Sequence, residues 1–254
     1  MNRILFEPDE FLADGTVLLT DTRAEHLRQV LRADPGQIVA TGTLNGLAGV
    51  SRVLSIGPDG VRLSPSHDVA LPEPWLDLLL AVPRPKVLKR LWPQLAALGV
   101  GRVVLLNAAK VEKCYFSSQW LEPRSYRPLL IEGLVQAGLT RLPEVTVAPR
   151  FKPFVEDDLE RLFPETMRLL AHPGVPTGLP SCDSVRRMRP LLAVGPEGGW
   201  TDYETEHLLA RGFHLFSLGE RVLRFDTACI ALIAVLEWCK RGTQNVERPT
   251  PKWT

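Results

Sequence analysis

Apolar positions in the first 72 residues come in short runs that alternate with polar ones, at Thr16 to Leu19, Gln37 to Thr41, Gly49 to Ile56 and Gly60 to Leu63. Period-two alternation of this kind predicts β-strands. Turn signals separate them at Asp34-Pro35-Gly36, Asn45-Gly46 and Pro58-Asp59-Gly60, and the set reads as a small barrel. One stretch breaks the pattern. Between Ala24 and Arg32 the spacing of Leu27, Val30 and Leu31 predicts a helix with one apolar face, and Arg28 and Arg32, four apart, share another.

After the break at Leu71-Pro72-Glu73-Pro74 the pattern changes, and the domain boundary is placed there. Strand-like Leu76 to Val82 leads into a helix at Lys86 to Leu98, then Gly99 and a strand at Arg102 to Leu106; further strands are expected at Met167 to Ala171, Leu191 to Val194 and His214 to Leu218. Strands that alternate with helices predict a parallel α/β sheet.

Composition narrows the class. The 254 residues are 45% hydrophobic and 23% charged, which excludes a disordered or coiled-coil polymer. The longest apolar stretch, Ala228 to Trp238, is interrupted by Glu237 and falls short of the roughly 20 residues a bilayer requires. No membrane span is expected. The opening MNRILFEPDEF carries acids where a secretory signal needs a basic start, so a cytoplasmic protein is expected. Cys114, Cys182, Cys229 and Cys239 are widely spaced, without a C-x-x-C pair or a Cys/His cluster, which points to a reducing compartment and no structural metal.

Charge is sorted by region. Residues 1 to 72 hold six Lys/Arg against nine Asp/Glu, whereas Arg84 to Lys152 holds twelve against four. A basic segment of that size can face phosphate, although acids elsewhere, such as Glu156, Asp157, Asp158 and Glu160, are available to compensate it.

Two stretches carry candidate chemistry. In LLAVGPEGGWTDYE, residues 191 to 204, a buried-type strand runs into a glycine-rich turn, and Thr201 with Glu204 forms a capping box for the next helix, which ends at Gly212. Glycines let the backbone pass close to a ligand, and free amides at a helix start favour an anionic group. A tight strand-to-helix turn in any α/β domain has the same needs, so this motif alone leaves both readings open. It is neither a P-loop nor a G-x-G-x-x-G turn. In FSLGERVLRFDTACIALIAVLEW, residues 216 to 238, a strand ends at Leu218-Gly219, a loop holds Arg221 and Arg224, and an apolar helix follows with Asp226 or Thr227 as its expected N-cap. Loop arginines orient phosphate or stabilise developing negative charge.

Taken together, G-P-E-G-G-W and the later L-G-x-R-V-L-R-x-[DE]-T-A resemble the 16S ribosomal RNA uridine N3-methyltransferases of the SPOUT superfamily. Other landmarks follow in the same order: His26-Leu27 with Val30-Leu31-Arg32, Leu98-Gly99-Val100, Gln136 with Leu142-Pro143-Glu144, and Ala171-His172-Pro173. Ala97, Leu139, Asp226 and the stretch Asn107 to Ser118 depart from the family pattern.

The resemblance implies an α/β protein with an N-terminal PUA-like barrel at 1–72 and a C-terminal SPOUT domain with a trefoil knot at 73–254. It implies S-adenosylmethionine as cofactor, held by His172, Val194, Gly195, Glu197, Gly198, Gly199, Leu218, Gly219, Val222 and Leu223, with no metal. Glycine is expected in that set because a side chain would collide with the cofactor. Arg224, assisted by Thr227, is expected to hold the uridine and stabilise its anionic form. No residue is an obvious general base; His172 has the right chemistry, and contact with the cofactor is the other reading of it. RNA, in the form of 16S ribosomal RNA or the small subunit, would be held by Arg3, His26, Arg28, Arg32, Lys110, Lys113, Arg124 and Arg141, and the family resemblance also implies a homodimer. Two rival readings remain: the same enzyme acting on another RNA site, which the departures keep open, and a non-catalytic RNA-binding protein, against which the intact motifs argue.

Overall fold

The computed structural model describes residues 3–173 and 180–242. Backbone contacts divide the chain into two compact units. The first takes residues 1–75, 84–103 and 116–146; the second takes 76–83, 104–115 and 147–254.

The first unit opens with β1 (Ile4–Phe6), β2 (Val17–Leu19), α1 (Thr22–Glu25), β3 (Ile38–Thr43), β4 (Ala48–Gly57) and β5 (Gly60–Val69). The strands form one sheet in the order β1-β3-β4-β5-β2, parallel between β1 and β3 and antiparallel elsewhere. Inward positions such as Phe6, Val17, Leu19, Val53, Val61 and Leu63 form its core with Ala24 and Leu27. The period-two pattern reads correctly where one face of a strand is dry and the other wet, as in β2 and β4, while β1 is buried throughout.

The helix expected over 24–32 is different in kind. α1 is one turn long, capped by Asp21, and passes into a π-helical turn at His26–Val30. Leu27 is buried, but Val30 is 67% and Leu31 43% exposed. The shared apolar face is not formed, because the π turn's wider winding takes these residues off the face that a 3.6-residue repeat assigns to them.

The chain continues through β6 (Leu76–Ala81), α2 (Pro85–Ala97), β7 (Val100–Leu106), α3 (Pro123–Ala137) and β8 (Glu144–Ala148). Both α2 and α3 start on proline, whose fixed φ suits the first turn and whose missing N–H is not needed there. They pack closely at Gly133, where a Cβ would lie 2.0 Å from the Pro93 carbonyl oxygen. Several of the basic residues counted in the sequence are paired here: Arg127 with Glu7 at 2.6 Å, Arg141 with Glu73 at 2.8 Å and Arg102 with Glu144 at 3.2 Å.

The second unit adds α4 (Phe151–Pro153), a π turn at Phe154–Asp158, α5 (Leu159–Leu162), β9 (Met167–Ala171), α6 (Cys182–Arg187), β10 (Pro190–Val194), α7 (Asp202–Ala210), β11 (His214–Phe216) and α8 (Phe225–Arg241). Its sheet has the order β11-β9-β10-β6-β7-β8, and β6, β9, β10 and β11 run parallel. Every residue of β6 and β10 is buried, as central parallel strands covered on both faces require. The one charge among them, Asp77, is neutralised by Arg189 at 2.6 Å. Cys182 and Cys239, 57 residues apart in sequence, are joined in a disulfide between α6 and α8, a pairing that their spacing along the chain hides.

α8 begins at Phe225 with Arg224 as its N-cap residue. Asp226 and Thr227, expected as caps, lie in the first turn instead, and the Asp226 carboxylate accepts from the Thr227 amide at 3.1 Å.

Candidate functional site

A pocket of about 340 Å³ opens in the second unit where β9, β10 and β11 end. The crevice beyond the carboxyl ends of parallel strands is where open α/β sheets bind ligands. Three loops wall it. Ala171 to Pro173 continue β9, Gly195 to Trp200 continue β10, and Ser217 to Leu223 continue β11. Phe225, Ala228 and Leu232 of α8 close the base.

All ten residues expected to surround the cofactor line this pocket, from His172 and Val194 through the glycine turn to Leu218, Gly219, Val222 and Leu223. Sequence reading missed Trp200, Ser217 and Arg221, which line it as well. Arg221 was visible as the second loop arginine. Arg224 and Thr227 are exposed at the start of α8 and are not among the lining residues.

Protein neighbours already crowd two of the glycines. A Cβ on Gly195 would lie 2.8 Å from Nε1 of Trp200, a buried ring, and one on Gly198 would lie 3.1 Å from Cδ of Lys110. The Trp200 ring leaves no room for a side chain at Gly195, whereas the Lys110 stem at Gly198 can give. Gly199 is held at φ +73°, and Gly219 at +111°, where L-residues are strained.

Hydrogen bonds fix the loops. The Gly219 amide donates to Oγ of Ser217, and that hydroxyl donates to the Gly219 carbonyl, both at 3.1 Å. The capping box forms as expected, with the Thr201 amide and hydroxyl both donating to Oε2 of Glu204 at 2.9 Å. Its glutamate is 2% exposed, and its other oxygen accepts from the Ala109 amide at 2.7 Å, so one carboxylate holds two loops. Lys110 adds a second tie, donating to the Gly198 carbonyl at 2.8 Å. Nδ1 of His172 donates to the Pro173 carbonyl at 2.9 Å.

The pocket's apolar lining is unusually wet. Val222 is 81%, Leu218 40% and Leu223 37% exposed. Apolar side chains left open around a cavity are what an apolar ligand surface would cover.

The residues expected to touch RNA fall in both units. In the first, Arg3 donates to the carbonyls of Thr41, Gly49 and Gly138 at 2.5, 3.1 and 3.1 Å, and burial lowers its pKa. Arg28 donates to the Gly57 carbonyl. Arg141 donates to the Asn45 carbonyl at 2.9 Å besides its pairing with Glu73. Arg124 is exposed and paired with Glu122 at 2.6 Å, Arg32 is exposed, and His26 is half-buried. In the second unit Lys113 is exposed and Lys110 is tied to the glycine turn. Among the described residues no group of His, Cys, Asp and Glu is arranged to hold a metal, and no helix is long and apolar enough to cross a membrane.

Comparison with known proteins gives this geometry a context. A family model for an RNA methyltransferase domain matches residues 71–237. The ribosomal RNA small subunit methyltransferase E of Treponema pallidum is 30% identical over 98% of this chain and 96% of that protein. Among solved structures, a probable rRNA methyltransferase from Porphyromonas gingivalis superposes with a TM-score of 0.76 at 21% identity, covering 94% of this chain and 98% of that one. The ribosomal RNA small subunit methyltransferase E of Neisseria gonorrhoeae, bound to S-adenosylmethionine, gives 0.74 at 22% identity, covering 92% and 97%. The fold expected from the sequence, a PUA-like barrel followed by a SPOUT domain, is the fold observed.

Proposed function

The chain belongs to the RNA methyltransferase family, and from that footing we propose that it methylates N3 of a uridine in 16S ribosomal RNA, using S-adenosylmethionine. The observation that carries the reading is the pocket at the ends of β9, β10 and β11, which the ten residues expected at the cofactor line together. Support for the RNA target comes from the Treponema pallidum relative, named for the small ribosomal subunit and alike over nearly its whole length.

The pocket suits this cofactor. Its volume is within the ordinary range for small-molecule sites, its walls offer apolar surface to a base, and its loops offer backbone groups to a ribose and an amino acid. When bound, S-adenosylmethionine supplies an activated methyl group. The work of this chain is to hold and orient. Leu218, Val222 and Leu223 would lose their exposure against the cofactor, and the Ser217 to Gly219 bonds keep that loop in shape. Uracil N3 is occupied in base pairing, so the target must be unpaired or extruded before it reaches the pocket. Losing the N3 proton makes the ring anionic. Arg224, at the head of α8, and Arg221, in the pocket wall, are the cations we assign to holding that anion, with Thr227 assisting. His26, Arg28, Arg32, Lys110, Lys113, Arg124 and Arg141 are assigned to the RNA, giving affinity and register through phosphate, whereas Arg3, expected among them, spends its donors on three backbone carbonyls.

In this reading residues 1–72 are the RNA-binding barrel and residues 73–254 the methyltransferase domain, threaded as a trefoil knot. The protein works as a cytoplasmic homodimer. Trp238, 65% exposed on α8, supports a second copy by leaving a large apolar ring in water.

The test is methyl transfer from labelled S-adenosylmethionine to small ribosomal subunits from cells lacking the protein, followed by mass spectrometry of the digested nucleosides. N3-methyluridine is the expected product. Label at another nucleoside would overturn the target, and absence of transfer with RNA binding retained would favour a non-catalytic RNA-binding protein. Sedimentation at micromolar concentration tests the dimer.

A further inference from the structure

A second cleft, of about 350 Å³, lies in the same unit where β7 and β8 end, and of its walls the methyl-transfer reading uses only Lys113. Asn107, Val111, Lys113, Phe151, Lys152 and Tyr203 are among its walls. Tyr203 is 51% exposed, an unusual position for a large ring on a helix that also carries buried residues. Its ring lies 4.6 Å from that of His207 at an interplanar angle of 33°. His207 is pinned in turn, with Nε2 3.0 Å from Oε1 of Glu156. Phe151 continues the row, 6.4 Å from His207 and 6.1 Å from Trp200, the ring in the wall of the cofactor pocket. An aromatic row thus leads from water to that pocket, with its outer ring braced from behind.

The charged residues in the cleft wall are two lysines, Lys113 and Lys152, and the buried Glu204. Lys113 and Lys152 are exposed, as is Arg150 beside them in sequence. Three nearby carboxylates are engaged, with Glu204 holding Ala109 and Thr201, Glu156 meeting His207 and Lys152, and Glu112 accepting from the Tyr115 hydroxyl at 2.9 Å, while Asp202 and Glu206 on the helix of Tyr203 are exposed. A braced, exposed ring beside cations matches an unpaired nucleotide, since every base has a π face and every phosphate a negative charge. The cleft also shares a wall with the cofactor pocket. Residues 195–200 line the pocket, Thr201 to Glu204 border the cleft, and Ala109 and Lys110 are bonded across that segment.

We propose that this cleft receives an unpaired nucleotide of the RNA substrate close to the methylated uridine, its base stacked on Tyr203 and its phosphate facing Lys113 and Lys152. The proposal rests on the reading of the protein as an RNA methyltransferase acting on an extruded base. It makes the cleft a register site, which holds the strand while the neighbouring uridine enters the pocket.

The experiment compares wild type, Y203A and Y203W on unmethylated small ribosomal subunits. Y203A is expected to raise KM about tenfold, with kcat and S-adenosylmethionine affinity changed less than about twofold, and Y203W to restore KM. Removing both cations in a K113A/K152A variant is expected to lower the salt slope of RNA binding by between about one and two. An unchanged KM in Y203A overturns the proposal, as does a loss that tryptophan fails to rescue or one accompanied by weaker cofactor binding. If wild type methylates no RNA, it is the function that fails. The cleft is then decided by equilibrium binding of the same subunits: equal affinities of wild type and Y203A overturn it, and a tenfold difference supports it.

Discussion

Arg3 and Arg23 in the first unit and Arg221 and Arg224 in the second use the same side chain in opposite ways. In the first, Arg23 is clamped by Glu10 and by Asp21 at 2.7 Å while donating to the Leu5 carbonyl at 2.6 Å, and Arg3 is spent on three backbone carbonyls. Burial works against the Arg23 charge, but the hydrogen bonds of Glu10 and Asp21 outweigh it and raise the pKa. In the second unit Arg221 and Arg224 stand exposed on the loop between β11 and α8. The same residue type closes a fold in one place and is held ready for a ligand in the other. Partners decide between these roles, and one-dimensional charge counts do not see partners.

The sharpest way to break that comparison is to remove the arginines one at a time. Arg224→Ala and Arg221→Ala are each expected to lower kcat about a hundredfold while S-adenosylmethionine still binds by calorimetry. Near-normal turnover in either variant would remove that residue from the mechanism. The glycine turn comes next. Gly195→Ala forces a methyl against the buried Trp200 ring and should weaken cofactor binding by about 2 kcal/mol, about thirtyfold in Kd. Gly198→Ala meets only the flexible Lys110 stem and should cost clearly less; equal losses would show that the cofactor, not the protein, excludes the side chain.

Arg23→Ala, in the other unit, is expected to cost about 2 kcal/mol of stability in denaturant melts, because the half-buried Glu10 and the Leu5 carbonyl lose their donor. Methyl transfer per folded molecule should stay at the wild-type level. The smallest effect concerns pH. His67, stacked on Phe6 and bonded to Thr41 and Thr43, has its pKa lowered by burial and by the Arg3 charge against the opposing pull of Asp68. Its unfolded form therefore binds a proton at higher pH than its folded form. The stability of this unit should fall as pH drops below about 6.5, the ordinary histidine value, and His67→Gln should flatten that slope.

Much of the site was legible in the sequence because its signals are local. The capping box at Thr201 and Glu204, the glycine turn and the two loop arginines each depend on residues within a few positions of one another. The misreadings share the opposite property. Val30 and Leu31 obey helical spacing, yet a π turn exposes them; Asp226 and Thr227 are good capping types, yet α8 begins one residue earlier than Asp226. α3 and β8 were not anticipated in the basic middle segment, where Arg127, Arg141 and Arg102 find their acids.

By itself the sequence determined the strand-rich opening, the alternating α/β remainder and the family motifs, and the resemblance those motifs carry implied ten of the twenty residues that line the pocket. The first two follow from periodicity, and the motifs express backbone needs that a few adjacent residues meet. The tertiary structure alone decided that Gly195 packs against Trp200 and Gly198 against Lys110, that Glu204 bridges two loops, that Arg221 faces the pocket and that Cys182 meets Cys239. Each of these is a contact between residues distant in sequence or a direction in which a side chain points. Both are set only when the parallel strands bring their loops together at one edge of the sheet.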